Sequence, residues 1–255
     1  MRRLRALTRW VADAVKDLTH AARAQTGASW LRLHGGAGYT VGTADCSPIP
    51  VVLLPGILER STYLAPMGQF LAAQGHPVHV IDALGWNLSG IEESVEYCLQ
   101  ALHDEDVHGA VLVAHSKGGL IGKALLLNPR VGDAVLGLVA VATPFGGSTF
   151  GGPLQRLPLV GDSPLGLFLP GSLDLEQLAQ DDDVNSRIVS LAPVWDQMIP
   201  GGSALEGALN VTLAGRGHFR PVNDPVVWEQ VHGHIHALAE QMQAGGFDDP
   251  DESAL

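Results

Sequence analysis

The stretch Val113-Ala114-His115-Ser116-Lys117-Gly118-Gly119-Leu120 decides how the rest of this chain is read. Val111-Leu112-Val113-Ala114 is a short, fully apolar run with the length of a buried strand. Residues 117–127 follow at once with helical composition, so Ser116 sits at a strand-to-helix corner. A serine there projects its hydroxyl above the carboxyl edge of a sheet. Ala114 and Gly118, two residues to either side, are small enough for so sharp a turn to close. The amino end of the following helix points at the site, and the backbone N–H of Lys117 is aimed at any anion formed there.

Outward from this corner the same beat repeats. Val51-Val52-Leu53-Leu54, closed by Pro55-Gly56, reads as a strand, and residues 61–74 have helical period. Val78 to Ile81 is a second strand. Residues 91–103 form an amphipathic helix with Ile91, Val95, Leu99 and Leu102 on one face. Residues 135–142, 188–192 and 211–214 continue as strands, and 226–242 as a closing helix. Continuous apolar strands alternating with helices imply a mostly parallel sheet covered on both faces, an α/β architecture.

Composition sets the limits. The chain has 255 residues, 46% hydrophobic and 16% charged, enough for one sizeable core. Its 31 glycines fall mostly in short clusters between apolar runs, as tight turns require. A net charge of −12 argues against a nucleic-acid partner. Residues 1–25 run against that trend, with six basic residues and two acidic. There Leu4, Leu7, Val11, Ala14 and Leu18 share one helical stripe. A basic amphipathic helix can lie on an anionic membrane surface. Packing on its own domain or on a second copy is the simpler expectation, since Trp10 is the only aromatic in it. No apolar run approaches the ~18 residues of a membrane span, and Asp13, Lys16 and Asp17 break any secretory core, so the expectation is a cytoplasmic protein. Cys46 and Cys98 could form one bridge at most, and two unpaired thiols are the simpler reading. Oligomeric state is not legible here.

The corner matches the G-x-S-x-G nucleophile elbow with Ala in first place. On these residues the chain resembles the α/β-hydrolase superfamily, in its lipase and esterase branch whose elbow reads A-H-S-x-G, over roughly residues 49–240. The resemblance implies an α/β-hydrolase fold, and a serine that needs a histidine base and an orienting acid in chain order Ser, acid, His. His218, in Gly215-Arg216-Gly217-His218 just beyond the last strand, fits the base. Asp196, just beyond the preceding strand, fits the acid. Asp181, Asp182 and Asp183 precede that strand, and Asp224 follows the histidine, so all four fit less well. Ile57, in Leu54-Pro55-Gly56-Ile57-Leu58, is the second expected oxyanion donor beside Lys117. Many relatives have His-Gly where this chain has Pro55-Gly56, and His34-Gly35-Gly36 lies too early to serve.

Residues 145–185 carry no clear strand but many apolar side chains, which reads as a cap over a pocket. The segment opens with Thr143-Pro144-Phe145-Gly146-Gly147-Ser148, similar to the Thr-Pro-His-x-Gly-Ser stretch of several lipases. Leu58, His115, Phe145, Phe150, Leu167 and Phe168 are the expected substrate contacts. The Lys117 side chain could pair with a cap carboxylate such as Asp162, or draw in an anionic substrate group. The organisation is thus an N-terminal helix and Gly-rich connector (1–48), a core in two halves (49–144 and 186–242) around the cap (145–185), and an acidic tail (243–255). The implied activity is cleavage of a lipophilic ester through an acyl-enzyme, a chemistry that calls for no metal or organic cofactor. A thioesterase or acyltransferase would use the same residues, and a non-catalytic binding homologue is the remaining alternative. His232, His234 and His236 alternate near the end. Only His232 and His236 have the spacing of helical metal ligands, and a solvated face is the simpler reading.

Overall fold

The computed structural model describes residues 12–23, 49–148 and 173–244. Within them the chain runs α1 (12–23), β1 (Val51–Leu54), α2 (Ala65–Ala73), β2 (Val78–Val80), α3 (Ile91–Asp104), β3 (Ala110–His115), α4 (Lys117–Leu127), β4 (Val135–Val141), α5 (Leu173–Gln180), β5 (Ile188–Trp195), β6 (Leu209–Arg216) and α6 (Pro225–Ala244). The expected helix at 61–74 is split. Ser61–Leu64 is a 3-10 turn, and α2 begins only after it, with a proline in its first turn where no intrahelical donor is lost.

All six strands are parallel, in the order β2-β1-β3-β4-β5-β6. The apolar runs are continuous because the central strands are covered on both faces. Val52, Leu54, Leu112, Ala114, Leu138 and Ala140 join one core with residues of α3 and α4. Val51, Leu53, Val111, Val113, Val139 and Val141 join the other with residues of α2 and α6. Leu53 and Leu112 are fully buried, and truncating either to Ala would cost about 2–5 kcal/mol.

This strand order positions the site. The chain leaves β1 toward β2 on one side, then crosses back through α3 to β3 on the other side. The loops at the carboxyl ends of β1 and β3 therefore diverge and leave a crevice at the switch point, where open α/β sheets bind ligands. Ser116 ends β3 on its rim.

The N-terminal helix packs on the rest of the domain. Of the expected stripe, Ala14 is buried and Leu18 is about half exposed, while Leu4, Leu7 and Val11 lie outside the described residues. The docked face is acidic: Asp13 pairs with Arg216 at 3.0 Å, and Asp17 is wholly buried. Among the described residues no helix is long and apolar enough to cross a membrane. Cys98 is a buried free thiol in the α3–α4 core. Cys46, residues 149–172 of the expected cap (145–185), and residues 245–255 of the tail lie outside the described residues, while the end of the cap region forms α5.

Candidate active site

Ser116 has φ 52° and ψ −119°, a conformation that L-residues with a Cβ rarely adopt and that costs about 1–3 kcal/mol. Two features hold it there. Its N–H donates to the Val141 carbonyl at 3.0 Å, and α4 packs tightly behind it. A Cβ on Gly118 would collide with the Leu54 carbonyl, so the small residue expected there is required.

The three residues expected to cooperate converge. The Ser116 hydroxyl is 3.0 Å from His218 Nε2, and His218 Nδ1 is 2.8 Å from Asp196 Oδ2. Nδ1–H donates to the carboxylate, which leaves Nε2 free to accept from Ser116. All three are buried, with 4–7% of their surface exposed. The second Asp196 oxygen accepts the N–H groups of Met198 at 2.7 Å and Ile199 at 3.0 Å, so the carboxylate is held at both oxygens. The competing acids lie elsewhere. Asp224 accepts the N–H of Val226 at 3.0 Å and caps α6, while Asp181, Asp182 and Asp183 are exposed ahead of β5.

The loop after β1 abuts the serine: a Cβ built on Gly56 would stand 3.1 Å from that of Ser116. The Gly56 N–H is spent on Glu59 Oε2 at 2.6 Å, and the Leu58 N–H on the Trp86 carbonyl at 2.9 Å. Between them the Ile57 N–H makes no hydrogen bond to any described residue. Lys117 is the first residue of α4, so its N–H lacks an intrahelical acceptor.

Other expected roles change. His115 is wholly buried and offers no surface to a substrate. Its Nδ1 lies 2.9 Å from the Glu59 carboxylate and its Nε2 3.1 Å from the His218 carbonyl oxygen. Both partners accept, so both ring nitrogens donate and the ring is a cation. Burial opposes that charge, but the Glu59 carboxylate outweighs it and raises the pKa above the ordinary histidine value. The pair thus ties the Gly56 loop, the elbow and the His218 loop together. Phe145 is likewise packed in the α3–α4 core, with 7% exposed. The segment it opens is anchored near the acid, where the Ser148 hydroxyl donates to the Met198 carbonyl. Lys117 does not face a substrate. Its ammonium donates to the carbonyls of Asn87 and Ser89, and burial lowers its pKa to about 8. Leu58 is exposed beside the crevice with φ 60°. Phe150, Leu167, Phe168 and Asp162 lie outside the described residues.

The sequence reading missed Asp17. Its carboxylate accepts three successive backbone N–H groups, from His218 at 2.7 Å, Phe219 at 3.1 Å and Arg220 at 3.0 Å. It also accepts from Gln197 Nε2 at 2.5 Å. Consecutive amides around one anion form a nest, opened here by Gly217 at φ 105°, where a Cβ would collide with the carboxylate. The only local signal was an acidic residue near an otherwise apolar stripe, which does not reveal a partner 201 residues away.

No protein-family model matches the sequence, and no curated protein matches it. Solved structures do. A lipase of Bacillus licheniformis in its mature form superposes with a TM-score of 0.61 at 15% identity, over 78% of this chain and 99% of its own. Naproxen esterase (carboxylesterase NP) of Bacillus subtilis gives 0.51 at 16% identity, over 76% and 85%. An extracellular α/β-hydrolase of a Paenibacillus species, described as sharing structural and functional homology with tobacco salicylic acid binding protein 2, gives 0.52 at 19% identity, over 79% and 100%.

Proposed function

Starting from the premise that this chain has the α/β-hydrolase fold, we propose that it is a serine hydrolase that cleaves carboxylic esters through an acyl-enzyme. One observation carries the reading: the unbroken line from the Ser116 hydroxyl through His218 to Asp196, with contacts of 3.0 and 2.8 Å. Side chains 22 and 102 residues apart meet there at the spacing that base catalysis needs.

In the proposed reaction Ser116 Oγ attacks the ester carbonyl while His218 Nε2 takes the hydroxyl proton. Asp196 holds the ring and balances the imidazolium charge. The carbonyl oxygen becomes an oxyanion that accepts from the N–H groups of Ile57 and Lys117. Removing one such donor typically costs 10²–10³-fold in kcat. The C–O bond to the leaving alcohol then breaks, and His218 returns its proton to that oxygen. Water, deprotonated by His218, attacks the acyl-serine and releases the acid, restoring the hydroxyl. Asp17 and the Glu59–His115 pair touch no reacting atom. They are positioning groups that hold the His218 loop from its amide and carbonyl sides respectively.

The apolar composition of 145–185 favours a lipophilic acyl group. The test is a p-nitrophenyl ester series from acetate to palmitate, run beside labelling with a fluorophosphonate. Turnover with stoichiometric labelling at Ser116 is expected. Folded protein that neither turns over any ester nor labels would reject the reading in favour of a binding role. A competing alcohol in the same assay separates hydrolysis from acyl transfer.

A further inference from the structure

At the amino end of the edge strand β2, away from the carboxyl ends of the strands where Ser116 sits, three histidines meet. His76 stands just before β2, while His232 and His236 lie one turn apart on α6. Their ligand atoms all fall within 4.8 Å of one another. His76 Nε2 is 3.0 Å from His232 Nδ1, and the ring centroids of the trio are 4.8–5.4 Å apart. The helical spacing that the sequence offered for two ligands therefore has a third from a distant loop, which no local pattern announced.

Two further features suit a cation. The His76 Nδ1–H donates to the Ile49 carbonyl at 2.9 Å, which fixes the tautomer and turns the Nε2 lone pair inward, the usual outer-shell arrangement of a ligating histidine. Finally, His76 is buried while His232 and His236 are only partly so, which leaves one side open for solvent to complete the coordination.

We propose that His76, His232 and His236 form a site for a borderline divalent transition-metal ion, Zn²⁺ above all, that clamps α6 to the loop entering β2. Three imidazole ligands match that class of ion and not Ca²⁺ or Mg²⁺, which take oxygen ligands. Bonds of about 2.0–2.1 Å to a tetrahedral ion put ligand atoms roughly 3.4 Å apart. The observed separations, from 3.0 Å to no more than 4.8 Å, bracket that value. The site lies at the amino ends of the strands and the serine at their carboxyl ends, so its role is structural and does not depend on the proposed hydrolase activity.

Untagged, chelator-treated full-length protein is titrated with Zn²⁺ while heat unfolding is followed, and with Co²⁺ while visible d–d absorption is followed. The Ser116→Ala variant is carried in parallel. One equivalent should bind with a raised Tm, by about 5 °C at large excess. His236→Gln should weaken binding at least tenfold and abolish the Co²⁺ spectrum, His234→Gln should leave both unchanged, and Ser116→Ala should behave as wild type. His76→Gln would lose binding too, but the half-buried His236 carries the test, because its replacement leaves the core intact. Absence of saturable binding, a Zn²⁺ response that survives His236→Gln, or one lost in His234→Gln would overturn the site.

Discussion

The carboxylate of Asp17 accepts the backbone N–H of His218 at 2.7 Å, joining the N-terminal helix to the proposed base across 201 residues of chain. Asp17 is wholly buried and also holds the amides of Phe219 and Arg220. Asp17→Asn replaces one acceptor oxygen by an amide that repels those donors. Displacing a catalytic group by about 1 Å can cost 10²-fold. The expected result is a kcat loss on that order with KM little changed, in protein that remains folded by circular dichroism. Unchanged kcat would mean that the nest only supports the fold.

Ser116→Ala removes the attacking oxygen. A kcat loss of about 10⁴–10⁶-fold is expected, with Tm near wild type and no fluorophosphonate adduct. Activity close to wild type in that variant would remove Ser116 from the mechanism.

Asp196→Asn keeps the shape of the acid but favours the wrong imidazole tautomer, since the amide can donate toward Nδ1. The corresponding change in a well-studied triad lowers kcat by about 10⁴, and a similar loss is expected here. Asp183→Asn should be neutral. The reverse pattern would reassign the acid.

The buried Glu59–His115 pair makes stability depend on pH with a defined sign. The folded-state pKa of His115 is raised. Its contribution is therefore complete below the unfolded value near 6.5 and is lost as pH climbs through the folded value. Lys117 acts oppositely: its pKa falls from 10.5 to about 8, so stability is regained between those values. The Tm difference between wild type and His115→Gln isolates the first effect, and it should shrink as pH rises above neutrality. Glu59→Gln, which leaves a buried cation alone, should cost about 3–5 kcal/mol at pH 6. A difference that grows with pH would show that His115 is neutral when folded.

By itself the sequence determined the alternation of buried strands and covering helices, the corner at Ser116, and the chain order in which Asp196 and His218 could join it. Those features are local. Apolar periodicity, small residues at a tight turn and the length of a strand are set by neighbours a few positions apart. The sequence also placed His232 and His236 on one helical face for the same reason. Only the tertiary structure decided what the buried polar groups do. Asp17 reaches the His218 amide, His115 turns to Glu59 instead of a substrate, Lys117 spends its ammonium on Asn87 and Ser89, and His76 arrives beside α6. A buried polar group must find a partner wherever the fold offers one. The partners here stand 28 to 201 residues away, beyond the reach of any local pattern.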